Sequence, residues 1–164
     1  MTDPVPMDLV GVRLELPTKT PILLLREENG TRYLPIWIGT TEATAIALAL
    51  EGVEPQRPMT HDLLKMVAES LGATVDRVVV TALNDGTFFA DLVLVRNGDE
   101  VKVSARPSDA IALAARTDSP VFAARQVLEE VGVEIQDADE EEEIERFREF
   151  LEDVTPEDFE QPQA

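Results

Sequence analysis

Thr87-Phe88-Phe89-Ala90-Asp91-Leu92-Val93-Leu94-Val95-Arg96-Asn97-Gly98-Asp99-Glu100-Val101-Lys102-Val103-Ser104-Ala105 is the stretch that decides the class of fold. Two runs rich in β-branched and aromatic residues flank Asn97-Gly98, a dipeptide suited to the left-handed backbone of a tight hairpin turn. The stretch predicts a strand at Thr87–Arg96 and an antiparallel partner at Glu100–Ala105. Asp85-Gly86 repeats the signal just upstream and joins Thr87 to a further strand at Val75–Leu83. Successive strands tied by short turns pair antiparallel.

Working outward, Met7–Leu16 alternates well enough for a half-buried strand. Ile22–Arg26 and Thr31–Ile38 are two more, joined through Asn29-Gly30. Thr40 or Thr41 is expected to cap a helix that runs from Glu42 to Leu50 and stops at Gly52. That helix is apolar nearly all round, which predicts burial. A second helix at about His61–Leu71 carries a stripe of Leu63, Leu64, Val67, Ala68 and Leu71. A third covers about Asp109–Arg116, followed by a short strand at Pro120–Ala123 and a helix to about Val131. Hairpins interrupted by helices predict an α+β fold: a single domain with a largely antiparallel, hairpin-rich sheet and several short buried helices. The repeated βαβ unit of a doubly wound sheet is missing. So are G-x-G-x-x-G and G-x-x-x-x-G-K-[ST] loops, which argues against a dinucleotide or nucleoside-triphosphate enzyme.

The chain has 164 residues, enough to bury a core without disulfides or a structural metal. It contains no cysteine, which excludes thiol catalysis, iron–sulfur clusters and Cys-based zinc sites. Its single histidine, His61, excludes any site within one chain that needs two imidazoles. No run approaches the roughly 18 apolar residues of a membrane span. Met1-Thr2-Asp3-Pro4 is not a basic–apolar secretory start, so a cytoplasmic protein is expected.

Fourteen Lys and Arg face 33 Asp and Glu, a net charge of −19. Residues 137–160 hold 13 acidic and two basic side chains, leaving −8 for residues 1–136. The reading is a domain at 1–136 and an acidic tail at 137–164. Asp139–Glu143 repels itself and reads as linker, while Ile144, Phe147, Phe150 and Leu151 form the stripe of a short amphipathic helix.

Two segments echo each other. Arg57-Pro58-Met59-Thr60-His61-Asp62 and Arg106-Pro107-Ser108-Asp109 each set Arg-Pro before a hydroxyl, an aspartate and an apolar helix. Taken singly, each reads as a helix start, with Thr60 or Ser108 as cap and the aspartate favoured by the helix dipole. Taken together, they suit a phosphate: a helix start offers free N–H groups, Arg57, Arg106 and Ser108 add donors, and His61 is of the side-chain type whose unperturbed pKa lies near neutrality. His61, Asp62 and Asp109 are then the catalytic candidates. Asp91 stands in an apolar strand, where a carboxylate needs a partner or solvent. Alongside Asp62, Asp109 or Glu42 it is a candidate ligand for Mg²⁺ or Mn²⁺, with Glu42 and Asp91 the metal candidates, although no spacing demands a metal. Trp37 is expected to pack in the core.

Several of these segments together resemble the bifunctional nuclease family. They are Leu34-Pro35-Ile36-Trp37-Ile38-Gly39, Glu42-Ala43, Arg57-Pro58, Thr60-His61-Asp62-Leu63-Leu64, Thr87-Phe88-Phe89-Ala90 and Arg106-Pro107-Ser108-Asp109-Ala110-Ile111-Ala112-Leu113-Ala114. Order and spacing agree from roughly residue 7 to 133. The resemblance implies one α+β domain, cleavage of DNA and RNA, and homo-oligomers such as dimers. It makes Glu42, Arg57, His61, Asp62, Arg106, Ser108 and Asp109 candidates without fixing a catalytic set. Where the family pattern carries an acid shortly before the Arg-Pro-Ser-Asp run, this chain has Ser104-Ala105.

Electrostatics pulls the other way. Non-specific affinity for nucleic acid comes chiefly from Lys and Arg, and this chain has no dense basic patch. A local cleft around Arg57 and Arg106, with Arg13 or Arg116, would have to suffice. The alternative is a non-catalytic oligomeric module that binds an anionic ligand or a protein partner. Convergence of Arg57, His61, Arg106 and Asp109 on one place would favour the enzyme.

Overall fold

The computed structural model describes residues 3–134, so the linker and amphipathic helix expected at 137–164 lie outside the described residues. In chain order the elements are β1 (Val5–Glu15), β2 (Thr20–Glu27), β3 (Arg32–Trp37), α1 (Thr40–Leu50) and α2 (Thr60–Ser70). There follow β4 (Ala73–Asn84), β5 (Thr87–Arg96), β6 (Asp99–Ala105), α3 (Pro107–Thr117), β7 (Val121–Ala123), α4 (Arg125–Val131) and β8 (Val133–Glu134). The strands form one sheet in the order β6-β5-β4-β7-β1-β2-β3-β8. Every neighbouring pair is antiparallel except β4 and β7. The fold is α+β, as its hairpins predict.

Both tight hairpins form as expected. Asp85 and Gly86 have φ of 50° and 78°, and Asn97 and Gly98 have φ of 52° and 82°. Two successive positive φ values match the right-handed twist of the flanking strands. Alternation then sends Leu23, Leu25, Leu34, Ile36, Val78, Val80, Ala90 and Leu92 to one face of the sheet. There they join Ile46 of α1, Ile111 and Leu113 of α3, and Leu128 of α4 in the main core.

Three expectations change. The helices begin earlier than the hydroxyl residues suggested: Gly39, Met59 and Arg106 occupy the cap positions, and none caps through its side chain. Pro107 explains α3, because a proline with fixed φ and no N–H fits the first helical position and draws the start ahead of Ser108. Helix α1 is buried along one face only, at Ala43, Ala45 and Ile46. Helix α2 departs most. Leu63, Leu64, Met66, Val67 and Leu71 are 42–61% exposed, and His61 is its one buried residue. Its polar first turn, not its apolar stripe, ties it to the domain.

Candidate active site

Three helix starts meet. His61 and Asp62 stand in the first turn of α2, Asp109 in that of α3 and Glu42 in that of α1. His61 Nε2 lies 3.0 Å from Asp109 Oδ1. Arg106, at the cap position of α3, donates from Nε to Asp109 Oδ2 at 2.8 Å and from one terminal nitrogen to Glu42 Oε1 at 2.9 Å. The result is a continuous row, His61–Asp109–Arg106–Glu42, drawn from residues 42 to 109 of the chain.

Its chemistry follows from the donors. Ionised carboxylate oxygens only accept, so the imidazole nitrogen facing Asp109 carries a proton, and in the neutral ring Nδ1 keeps its lone pair. The His61 side chain is 8% exposed and Asp109 is 31% exposed. Arg106 holds its proton more tightly than a free guanidinium, because Asp109 first and Glu42 second accept its hydrogen bonds. Arg106 is itself 65% exposed and commits Nε and one terminal nitrogen to these bonds.

Asp62 does a different job. Arg116 Nε donates to its Oδ1 at 2.7 Å, and the Met59 backbone N–H donates to its Oδ2 at 3.0 Å. Burial works to raise the Asp62 pKa, but these two bonds outweigh it and hold the carboxyl below its ordinary range. Arg116 is 8% exposed and also donates to the Ala112 carbonyl, so it clamps α2 to α3 instead of joining a basic cleft. Asp62 thereby positions the helix that carries His61.

Beside the row opens a cavity of about 340 Å³. Its walls are the β3–α1 junction (Ile36–Gly39), the β4–β5 turn with Phe88, and Arg106, Pro107 and Ser108. Strands β3 and β5 have four others between them in the sheet, so the sheet curls to bring both to one cavity. Trp37 is 55% exposed here rather than packed in the core. Leu34 and Ile36 take the core face of β3, which leaves Trp37 to the alternate side. Its indole N–H donates to Glu15 Oε2 at 2.8 Å. Trp37 and Phe88 line the cavity without being among the sequence candidates, although the period-2 pattern of β3 places Trp37 off the core face.

The remaining candidates scatter. Arg57 is exposed in the segment before α2 and forms no ion pair among the described residues. Ser108 is 5% exposed and lines the cavity. Asp91 pairs across the sheet with Val79 and Ser104, on the face opposite the helices, whereas Glu42 sits on α1 with its carboxylate on Arg106. The two do not form a shared metal site. Among the described residues no three His, Asp or Glu side chains are placed to hold a metal ion. The residues present therefore do not fit a resident Mg²⁺ or Mn²⁺ at that pair.

Fold and site define the class: a small α+β domain whose helix starts gather a histidine, two carboxylates and an arginine beside an open cavity. A family model described as bifunctional nuclease domain matches residues 23–136. An uncharacterized protein of Mycobacterium tuberculosis (strain ATCC 25618 / H37Rv) is 49% identical over 92% of this chain and 95% of its own length. Bifunctional nuclease 2 of Arabidopsis thaliana is 32% identical over 65% of this chain, and Bifunctional nuclease 1 of Oryza sativa subsp. indica 26% over 70%. These matches cover 34% and 35% of the two plant proteins. The chain belongs to the bifunctional nuclease domain family. No helix among its described residues is long and apolar enough to cross a membrane.

Proposed function

We propose that this protein is a nuclease that hydrolyses phosphodiester bonds in DNA and RNA with little sequence preference. The observation that carries the reading is the half-buried His61–Asp109 contact at the start of α3, with Arg106 beside it. Asp109 fixes the imidazole with its proton on Nε2, which leaves Nδ1 to take a proton from the attacking group. Arg106 and the free N–H groups of the α3 start accommodate the charge of the phosphate. Arg57, exposed and free of ion pairs among the described residues, steers the strand. Asp62 and Arg116 hold α2 in place. No step is assigned to a metal.

The test is cleavage of supercoiled DNA and of single-stranded RNA by wild type and His61→Ala, each with Mg²⁺, Mn²⁺ or EDTA. Activity should follow the folded protein through purification and fall sharply in the variant. Equal activity in both proteins would place the cleavage elsewhere.

The second reading, a non-catalytic module for an anionic ligand or a protein partner, is favoured by one observation: Arg106 is already engaged by two carboxylates, which leaves it less charge to lend a reacting phosphate. It predicts ligand binding with no turnover. In either case we expect a homodimer or larger homo-oligomer, supported by the exposed apolar stripe of α2.

A further inference from the structure

The cavity between Trp37, Phe88 and the start of α3 has no part in the proton chemistry of His61. Three observations define what it would accept. Ser108 is 95% buried (5% exposed), yet its hydroxyl makes no hydrogen bond among the described residues, although it lines the cavity. No buried side-chain polar atom among the described residues lacks a partner, so the Ser108 hydroxyl is open to the cavity and available to a ligand there. Next to it, the N–H groups of Ser108 and Asp109 fall in the first turn of α3, where no carbonyl of the helix can reach them. Helix α1 supplies the contrast: its Glu42 carboxylate folds back over Gly39, so an acid already occupies that start. Only the α3 start, with Ser108 and Arg106, opens on the cavity ready for an anion.

Two of the residues that line the cavity are aromatic. Trp37 is exposed, but its indole N–H is held by Glu15, which fixes the ring orientation. Phe88 lines the same space. A volume of about 340 Å³ lies at the small end of ligand sites and suits one ring system with one charged group.

We propose that this cavity is a subsite for a single unpaired nucleotide of a nucleic-acid strand. The base stacks on Trp37 and Phe88, and its phosphate is received by the Ser108 hydroxyl, the α3 N–H groups and Arg106. A base in a duplex already has both faces stacked, so the subsite selects single-stranded over paired substrate. The choice of a nucleotide rests on the nuclease reading, while the aromatic–anion geometry does not.

Trp37 is the chain's one tryptophan, so its fluorescence reports the subsite directly. The full chain in EDTA would be titrated with pentathymidylate, a blunt 12-base-pair duplex, thymidine and inorganic phosphate. Saturable quenching by pentathymidylate is expected, with the other three at least tenfold weaker. Ser108→Ala should weaken it several-fold and Ser108→Asp at least tenfold, with circular dichroism confirming the fold. Should the aspartate variant not fold, the alanine variant carries the test.

No quenching, equal quenching by phosphate alone, or unchanged binding by both Ser108 variants would overturn the proposal. Tight duplex binding at the same site would overturn it too. Quenching by a wild type that never cleaves would refute the nuclease reading and leave the subsite standing. Cleavage without any Trp37 response would do the reverse.

Discussion

Replacing Asp109 by Asn changes one atom and the logic of the whole row. In the wild type Asp109 accepts on both oxygens, from His61 Nε2 at 3.0 Å and from Arg106 Nε at 2.8 Å. An asparagine has one acceptor and one donor end, and Arg106 can only donate. The amide oxygen must therefore face Arg106 and the amide N–H₂ must face His61. The imidazole keeps its contact only by giving up the proton on Nε2 and carrying it on Nδ1. The nitrogen that should act as base is then blocked. Cleavage should fall by roughly 10²–10⁴-fold, the usual contribution of a positioned proton acceptor. The cost to stability is small. A charge-assisted hydrogen bond becomes a neutral one, a loss of about 1 kcal/mol, further reduced because Arg106 is 65% exposed. For a domain of this size the melting temperature should drop by roughly 2–5 °C. Because His61 is the only histidine, ¹⁵N chemical shifts of its ring report the tautomer without assignment. A wild-type Nε2–H that becomes Nδ1–H in the variant is expected. The same tautomer in both proteins, or full activity in the variant, would refute the reasoning.

Other outcomes follow from neighbouring groups. Arg116→Ala leaves Asp62 without its partner in the α2–α3 seam and should cost about 2–3 kcal/mol in urea unfolding. An unchanged midpoint would deny the clamp. Asp62 has an ordinary pKa of 3.8 and is held lower when folded, so its contribution is present above that value and lost as pH falls through the folded pKa. Stability measured between roughly pH 4 and 2 should fall less steeply in Asp62→Asn than in wild type. Leu63→Glu or Val67→Glu on the exposed face of α2 should shift sedimentation toward monomer while leaving circular dichroism unchanged. Truncation after Gln136 removes 13 acidic and two basic side chains and takes the charge from −19 to −8. Oligonucleotide binding at low salt should strengthen several-fold, roughly as the long-range repulsion falls. Identical affinity would show that the charge of residues 137–164 does not oppose binding.

Local signals were legible where one residue type forces a conformation. Asp85-Gly86 and Asn97-Gly98 marked their hairpins, and β5 spans Thr87–Arg96 as read. The parallel contact of β7 with β4 was not legible, because three residues, Val121–Ala123, carry no periodic pattern. The α2 stripe looked like core because periodicity reports that a face is apolar, not what covers it. Its actual anchors, His61 and Asp62, are polar. At the site, the two Arg-Pro segments announced helix starts with the right side chains. That His61 and Asp109 touch depends on how α2 packs on α3, through Arg116 some 54 residues from Asp62. Nothing along the chain encodes that visibly. Trp37 was the reverse case: alternation with Leu34 and Ile36 put it off the core face, but its size suggested burial.

The central claim is that His61 and Asp109 act as one unit in phosphodiester cleavage. A double-variant cycle tests it: single-turnover cleavage of a short single-stranded RNA by wild type, His61→Ala, Asp109→Asn and the double variant. If the two residues form one device, the double variant cleaves no more slowly than His61→Ala alone, because Asp109 has nothing left to orient. If the two losses multiply, or if neither substitution slows cleavage, the pair does not carry the reaction.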